Sequence, residues 1–397
     1  MSDKLFEDLL VIDCASFIAG PAAATILADF GARVIKVEPP EGDGYRQLMH
    51  LHGLPVSELN YPWRLTNRNK ESLALDLKQE EARQALDKLI EKADVFVTNY
   101  PLPVRRKLRL DYEDIRAVNP GIIYASLTPY GEEGPESEAT GYDATAWWAR
   151  SGLMDQVRAS KDTPPGISAP GMGDHMSANM LYGAIVTALY RRQKTGKGSK
   201  VGTSLMANGL WSNGVHTQAG LDGADMTARL DSTKLPAFTR NYRCSDDRWF
   251  MLAILNQAQE KAWPQLARCV GHEEWIEDER FATNEARITN RAELAQLVSE
   301  AIEQRPWSEW KQRFSDHGLT CGGIAQAADH GECVQAAQAG MLLEYDDGSG
   351  QRTIDSPLFV EGAAKQQPRQ APEVGADSAK ILHELGYDET GIQRLTG

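Results

Sequence analysis

A repeated strand–helix–strand pattern in the first half of the chain constrains its fold more than any other feature. Residues 9–15 are a mostly apolar run of strand length, residues 22–30 have helical spacing, and residues 32–38 read as a second strand. Two strands joined by a crossover helix lie parallel in one sheet. Further strands are predicted at 72–77, 95–97, 122–127 and 201–206, with helices at 80–92, 112–118 and 177–192. This alternation predicts an α/β fold with a doubly wound, Rossmann-like large domain.

Length and composition predict a second domain. The chain has 397 residues, more than one domain usually contains, and 42% of them are apolar. Gly, Asp and Thr become frequent at 221–237, which predicts a linker after a large-domain segment at 1–220. We expect a smaller α+β domain at 238–330. Its predicted elements are a strand at 248–255 and helices near 258–270, 291–304 and 306–316.

Charge and motif content exclude several classes of function. The net charge of −14 argues against nucleic acid and against anionic membranes as partners. No apolar window is long enough to predict a transmembrane helix, and the N-terminus lacks the pattern of a signal peptide, so we expect a cytoplasmic protein. The five cysteines form no CxxC pair and the eight histidines form no HExxH motif, so no metal site is predicted.

The candidate chemistry is concentrated in Gly171–His175, which precedes a helical run to Tyr190. Asp174 follows two glycines at the start of that helix, where unpaired N–H groups and the helix dipole favour an ionised carboxylate. Such a carboxylate can act as a nucleophile. The N–H groups of Gly171 and Gly173 are then candidates to bind the oxyanion that forms when it attacks an acyl carbon. Because Asp is also a common N-cap residue, capping is the alternative role for Asp174.

The carboxyl ends of the predicted strands carry the other candidate positions. Ligands of doubly wound folds bind beyond these ends, and Gly20, Glu38 and Asn99 all lie there. The turn after the first strand has no GxGxxG sequence, so a dinucleotide cofactor is not predicted.

Five segments, taken in order along the chain, resemble the class III CoA-transferases, the family of formyl-CoA transferase and carnitine CoA-transferase. The segments are Ala19–Pro21, Gly31–Pro39, Gly171–Asp174, Lys194–Gly198 and His317–Gly322. The resemblance implies that Asp174 is the catalytic nucleophile and that it forms first a mixed anhydride and then an aspartyl-CoA thioester. It also implies a homodimer of interlocked chains, a return segment at 331–397 that completes the large domain, and no cofactor beyond CoA or acyl-CoA as substrate.

The resemblance further implies where coenzyme A binds. The positions that match CoA-contacting residues of the family are Phe17, Ile18, Ala19, Lys78, Asn99 and Tyr100. The loop after Tyr100 departs from the family pattern, with Lys107 where an Arg is expected and Arg106 beside it. The cluster of basic residues in 105–109 indicates either a positive site for the nucleotide phosphates or a solvated, charged helix.

A second branch of this superfamily, the acyl-CoA racemases, uses the His of a Gly-His-Asp motif for proton transfer. The equivalent segment here is Gly141-Tyr142-Asp143, and a phenol is a poor base for an α-proton at neutral pH. We therefore assign Tyr142 to the substrate site of a transferase. The segments Gly141–Arg150 and Gly171–His175 most resemble the branch that acts on 2-hydroxy acids. Ile18 stands where formyl-CoA transferase has Gln, which points away from a small polar acceptor.

The remaining residues near the motif are interpreted as structural. Trp147 and Trp148 are expected to pack in the core rather than to form a wall of the site, and His175 is expected to support Asp174. We expect an enzyme that moves CoA from an acyl-CoA to a carboxylic acid through Asp174. An acyl-CoA epimerase and a non-catalytic CoA-binding protein are the alternatives.

Overall fold

The computed structural model describes residues 4–50, 54–160, 162–226 and 235–396, which divide into two compact units. The first unit is built from residues up to Val157, from Pro165–Gly223 and from Gln335 onward. The second unit is built from Arg158–Pro164 and Ala224–Val334. Residues 227–234 of the linker predicted at 221–237 lie outside the described residues.

A six-stranded parallel sheet forms the centre of the first unit. Its strands are β1 (Leu10–Asp13), β2 (Arg33–Glu38), β3 (Lys70–Ala74), β4 (Val95–Thr98), β5 (Ile123–Thr128) and β6 (Ser199–Ser204). Their order across the sheet is β3-β2-β1-β4-β5-β6. The direction of winding changes between β1 and β4, and ligands of such folds bind in the crevice beyond that point. The prediction of a doubly wound α/β fold is therefore confirmed.

Helices cover both faces of this sheet. They are α1 (Ala19–Asp29), α2 (Tyr61–Asn67), α3 (Glu80–Ile90), α4 (Leu102–Leu108), α5 (Tyr112–Val118), α6 (Leu153–Gln156), α7 (Met172–Thr195), α8 (Leu205–Ser212) and α9 (Gly214–Leu221), with a π-helix at Asp143–Ala149. Successive residues of a strand point to opposite faces. Val11 and Val97 accordingly pack with α1 and α7, whereas Ile12 and Phe96 pack with α3 and α5.

The second unit contains a three-stranded antiparallel sheet covered by helices. The strands, in the order β7-β8-β9, are β7 (Thr239–Arg243), β8 (Trp249–Ala253) and β9 (Cys321–Ile324). The helices are α10 (Asn256–Val270), α11 (Asn284–Thr289), α12 (Arg291–Ile302) and α13 (Trp307–Asp316). Tyr242, Phe250, Trp310 and Phe314 are buried together in its core. The predicted strand and helices are present, whereas β7 and β9 were not predicted, because both alternate weakly between apolar and polar residues.

The C-terminal part of the chain returns to the first unit. It contains α14 (Val334–Gln338), the hairpin of β10 (Leu342–Glu344) and β11 (Arg352–Ile354), α15 (Ser378–Glu384) and α16 (Glu389–Thr396). The Ser72 N–H of β3 donates to Asp377 Oδ2 at 2.9 Å, and Ile381 and Leu382 of α15 are buried beside the sheet. Within the described part of the chain, no helix combines the length and apolar character needed to cross a bilayer.

Candidate active site

Asp174 lies in the first turn of α7. The helix begins at Met172, earlier than the predicted start near 177, because Gly171 adopts a φ of +75° and turns the chain into the helix. Gly171 therefore holds the N-cap position, and no side chain caps this helix. The alternative capping role for Asp174 is wrong. As first-turn groups, the N–H groups of Gly173 and Asp174 have no intrahelical acceptor.

Contrary to the expectation that the start of the helix would favour an ionised carboxylate, the environment of Asp174 disfavours its charge. The residue is half-buried, and burial, reinforced by the negative charge of Asp143, raises the pKa of its carboxyl to about 7. The carboxyl therefore changes its charge near neutral pH, and much of the hydration of its ionised form is removed. Poor solvation of this kind is what activates a carboxylate for attack on an acyl carbon.

Close packing brings Asp143 to this place. A Cβ built on Gly173 would lie 2.6 Å from Cγ of Trp147, so only glycine lets the π-helix approach α7. The π-helix begins at Asp143, one turn before Trp147. Trp147 and Trp148 are buried and stacked with ring centroids 5.7 Å apart, which confirms that they pack in the core.

The loop between β1 and α1 is held rigidly at the crevice beside β4. Asn99, just after β4, accepts from Ser16 N–H at 2.8 Å and donates from Nδ2 to Ser16 O at 2.7 Å. Asp43 Oδ1 accepts from Ser16 Oγ at 2.7 Å and from Phe17 N–H at 3.3 Å. Phe17 has a φ of +61°, which is unusual for a bulky residue, and these bonds stabilise it.

Beneath this loop lies a cluster of four charged residues, here called the buried ion cluster: Asp13, Lys36, Asp43 and Lys70. Lys36 Nζ lies 2.9 Å from Asp43 Oδ2, and Lys70 Nζ lies 2.7 Å from Asp13 Oδ2. Lys36 Nζ also donates to the carbonyl of Ala15. All four residues are buried. The cluster was missed from the sequence, although a lysine in the middle of an apolar strand was a usable signal.

The β1–α1 loop meets the start of α7 at Ile18. Ile18 Cδ1 lies 3.0 Å from the position that a Cβ of Gly171 would occupy, and Ile18 is buried. Ala19, the first residue of α1, is buried directly after it. The structure therefore brings together four of the predicted site positions, from two distant parts of the sequence: Ile18, Gly171, Gly173 and Asp174. Phe17 is adjacent and 43% exposed.

Two other predicted CoA positions share one cavity at the carboxyl edge of the sheet. Lys78 and Tyr100 line a cavity of about 170 Å³ together with residues at the end of β2 and just after it, among them Glu38 and Pro39. A larger cleft of about 640 Å³ lies along β6 and the end of β5, lined by Ser126 and Lys200 among others. Asp174 does not line the larger cleft, and Glu132 there is already paired with Arg105 and Lys200.

The basic residues after Tyr100 do not form a free positive patch. Arg105 is buried and ion-paired with Glu132, Arg106 is paired with Glu138, and Arg109 is paired with Glu80. Lys107 is exposed on α4. Tyr142 is 67% exposed at the start of the π-helix. No contact recorded among the described residues joins Arg106, Lys107 or Tyr142 to Asp174.

Comparison with known proteins assigns the class. The sequence pattern of CoA-transferase family III matches residues 6–378. The chain is 31% identical over 395 residues to (R)-2-hydroxy-4-methylpentanoate CoA-transferase of Clostridioides difficile, with 98% of each chain covered. It is 30% identical to cinnamoyl-CoA:phenyllactate CoA-transferase of Clostridium sporogenes, over 99% of this chain and 96% of that one.

A solved structure agrees with this assignment. The crystal structure of a CAIB/BAIF family protein from Brucella suis matches with a TM-score of 0.84 at 30% identity, covering 96% of this chain and 98% of that one. The chain therefore belongs to CoA-transferase family III.

Proposed function

We propose that this enzyme transfers CoA from an acyl-CoA to a carboxylic acid and that Asp174 is acylated during turnover. The observation that carries the proposal is the placement of Asp174: half-buried, in the first turn of α7, with a pKa raised to about 7. A poorly solvated carboxylate that is still ionised above neutral pH is suited to nucleophilic attack.

The first half of the reaction moves CoA onto the enzyme. The Asp174 carboxylate attacks the thioester carbon of the donor, the C–S bond breaks, and CoA leaves as the thiolate while an acyl–aspartyl anhydride forms. The thiolate then attacks the Asp174 carbonyl of the anhydride, which releases the donor acid and leaves an aspartyl-CoA thioester. The first-turn N–H groups of α7, including that of Gly173, are the donors available to the oxyanions of both steps.

The second half reverses these steps with a new acid. The acceptor carboxylate attacks the aspartyl thioester and expels the CoA thiolate, which forms a second anhydride. The thiolate then attacks the acceptor's acyl carbon, so that the new acyl-CoA leaves and the Asp174 carboxylate is restored. Each step breaks one acyl–oxygen or acyl–sulfur bond and forms another, so no atom is oxidised or reduced and neither half needs a redox group.

We assign coenzyme A to the carboxyl edge of the sheet. Phe17, Ile18 and Ala19 are assigned to the thioester end because Ile18 packs against Gly171, three residues before Asp174. Lys78 and Tyr100 are assigned to the nucleotide end because they line one cavity. Asn99 is assigned to holding the loop, since both of its amide atoms bond Ser16. Arg106 and Lys107 are assigned to phosphate contacts. To make such a contact, Arg106 must break its ion pair with Glu138.

The acceptor that best fits is a 2-hydroxy acid with an apolar side chain. The acids named in two relatives, 2-hydroxy-4-methylpentanoate and phenyllactate, both belong to this class. The buried Ile18 beside Gly171 provides an apolar contact where a small polar acceptor would need a hydrogen bond. Tyr142 is assigned to the rim of the same site.

We also propose that the enzyme is a homodimer. Met172, Met176 and Met180 lie one turn apart on α7 and each exposes close to half of its surface (47%, 48% and 48%), a row of apolar side chains suited to a partner subunit. Light scattering should give twice the mass of the 43.8 kDa chain.

The test of the mechanism is trapping of the intermediate. The wild-type chain, incubated with cinnamoyl-CoA or 2-hydroxy-4-methylpentanoyl-CoA, should show a covalent adduct on Asp174 by mass spectrometry, and hydroxylamine should remove it. In Asp174→Ala the adduct should be absent and CoA exchange between two acids should fall at least about a thousandfold, because the nucleophile is gone.

The control is Asp8→Ala, which removes an exposed carboxylate and should leave exchange unchanged. Exchange that survives in Asp174→Ala would refute the nucleophile. The epimerase alternative predicts deuterium uptake at the α-carbon of the acyl-CoA without any acceptor acid. CoA binding with neither adduct nor deuterium uptake would favour the non-catalytic alternative.

A further inference from the structure

His175 carries a hydrogen-bonding atom that the mechanism does not use. Its Nδ1 lies 2.8 Å from the carbonyl oxygen of Gly171. A carbonyl oxygen only accepts, so Nδ1 must carry the hydrogen, and in the neutral ring Nε2 is left as an acceptor. Nε2 is buried and has no hydrogen-bond partner among the described residues.

Unpaired buried polar atoms are concentrated around this position. Trp147 Nε1, Asp143 Oδ2 and Ser177 Oγ are also buried without a partner in the part of the chain that the structure describes. Two of these residues lie on the π-helix that packs against Gly173, and the third lies on α7, one turn after Asp174. Native proteins rarely leave such atoms unpaired, and a cluster of them at a reactive carboxylate indicates atoms of a ligand.

The surroundings of His175 combine this polar atom with an apolar side chain. A Cβ on Gly171 would lie 3.0 Å from Ile18 Cδ1, 3.3 Å from His175 Nδ1 and 3.4 Å from His175 Cε1. Ile18 and the imidazole therefore flank the same glycine, three residues before Asp174. The turn that precedes Asp174 is thus contacted by one apolar side chain and by one imidazole whose Nε2 is unpaired among the described residues.

We propose that His175 Nε2 accepts a hydrogen bond from the 2-hydroxyl of the acceptor acid while Ile18 contacts the acid's side chain, which makes His175 a specificity-determining residue. The inference rests on the proposed function. The hydroxyl is one bond beyond the carbon that bears the carboxylate, so it remains within the site when the carboxylate is at Asp174. A site built to pair with a hydroxyl discriminates against the analogue that lacks it, because its own buried atom then stays unpaired.

The test compares two acids that differ only in the hydroxyl: 2-hydroxy-4-methylpentanoate and 4-methylpentanoate. The CoA donor is the thioester that supports the fastest CoA transfer by the wild-type chain. With this donor, the wild-type chain should prefer the hydroxy acid over 4-methylpentanoate by tenfold or more in kcat/KM. His175→Leu should lower kcat/KM for the hydroxy acid by roughly tenfold to a hundredfold. It should leave the value for 4-methylpentanoate within about threefold, so that the preference falls toward one.

Two further variants separate specificity from structure. His175→Gln places an amide near the position of Nε2 and should retain part of the preference, and it replaces His175→Leu if that variant fails to fold. His317→Leu is the matched control: His317 Nδ1 makes the same 2.8 Å bond to a carbonyl four residues earlier, that of Arg313, on a helix of the second unit. It should leave the preference unchanged.

The outcomes distinguish this inference from the proposed function. A wild-type chain that forms the Asp174 adduct but uses the two acids equally would overturn the inference alone. An equal loss for both acids in His175→Leu would also overturn it, because a purely structural histidine would act in that way. A wild-type chain that transfers CoA to no acid would refute the proposed function, and this inference with it.

Discussion

Beneath the β1–α1 loop, Asp13 and Asp43 each face a lysine ammonium, at 2.7 Å and 2.9 Å, whereas the charge that acts on Asp174 at the start of α7 is a second carboxylate. Both places are buried or half-buried and both lie at the carboxyl edge of the same sheet. In the buried ion cluster the charges compensate one another and hold the loop that carries Phe17 and Ile18. At the start of α7 the charge is uncompensated.

This difference separates the charged groups that stabilise the fold, in the buried ion cluster, from Asp174, the group proposed to react. A paired, buried charge is costly to disturb and rigidifies what it contacts. An unpaired buried charge destabilises the free enzyme and is stabilised when a ligand binds. Active sites commonly lower the stability of a protein in this way. The comparison predicts that removing a charge has opposite effects on stability in the two places.

The largest effect is expected in the buried ion cluster. Lys36→Met should lower the free energy of unfolding by about 3–5 kcal/mol, because it leaves Asp43 buried without its cation. Urea unfolding followed by circular dichroism measures this change. The control is Lys380→Met, which removes a lysine paired with Glu71 at 2.9 Å on the surface and should cost no more than about 1 kcal/mol. Equal losses of stability in the two variants would contradict the expected difference between the buried and the surface ion pair.

At the start of α7 the sign should reverse. The native pKa of Asp174 is about 7, well above the usual range, so the folded state bears the cost of an ionised carboxylate above pH 7 and is relieved as the pH falls. Asp174→Asn should therefore stabilise the protein by about 1–3 kcal/mol at pH 8, and this gain should shrink as the pH falls below 7 and vanish near pH 4, close to the ordinary pKa of an aspartate, about 3.9. Thermal unfolding at both values measures it.

The control for this reversal is Asp8→Asn, an exposed carboxylate whose removal should change stability by less than about 0.5 kcal/mol at either pH. A loss of stability in Asp174→Asn at pH 8 would contradict this reversal, because it would show that the Asp174 carboxylate is compensated in the folded state.

The same contrast explains what could be predicted from one sequence. Gly171–Asp174 was recognisable because the glycine turn, the carboxylate and the helix that follows are contiguous. Strands β1, β4 and β5 were recognisable because each contains a short, mostly apolar run, and β2 because its apolar residues are interrupted only by Lys36. Both signals are local, and the parallel sheet follows from them by the geometry of crossover connections.

Features that depend on distant partners were not predictable in this way. Lys70 pairs with Asp13 across 57 residues, and Arg105 pairs with Glu132 across 27. The ion pairs made by the basic residues after Tyr100 could not be predicted, because the glutamate partners, Glu132 and Glu138, lie on a later loop. The unpaired Nε2 of His175 was likewise invisible, since burial and the absence of a partner are properties of the folded chain.

The smallest effect expected concerns the pH dependence of activity. The pKa of Asp174 is raised first by burial and second by Asp143, and only the second contribution is lost in Asp143→Asn. The pKa of Asp174 should then fall, by less than about one unit. In the proposed mechanism the ionised carboxylate is the form that reacts, so activity should increase with pH through this pKa, and the acid limb of kcat/KM should move to lower pH. Glu136→Gln removes an exposed carboxylate that is paired with Arg150 near the end of the same π-helix, and it should leave the acid limb of kcat/KM in place.

An acid limb that does not move in Asp143→Asn would mean that burial alone sets the pKa of Asp174. An acid limb that moves to higher pH would exclude Asp174 as the titrating nucleophile.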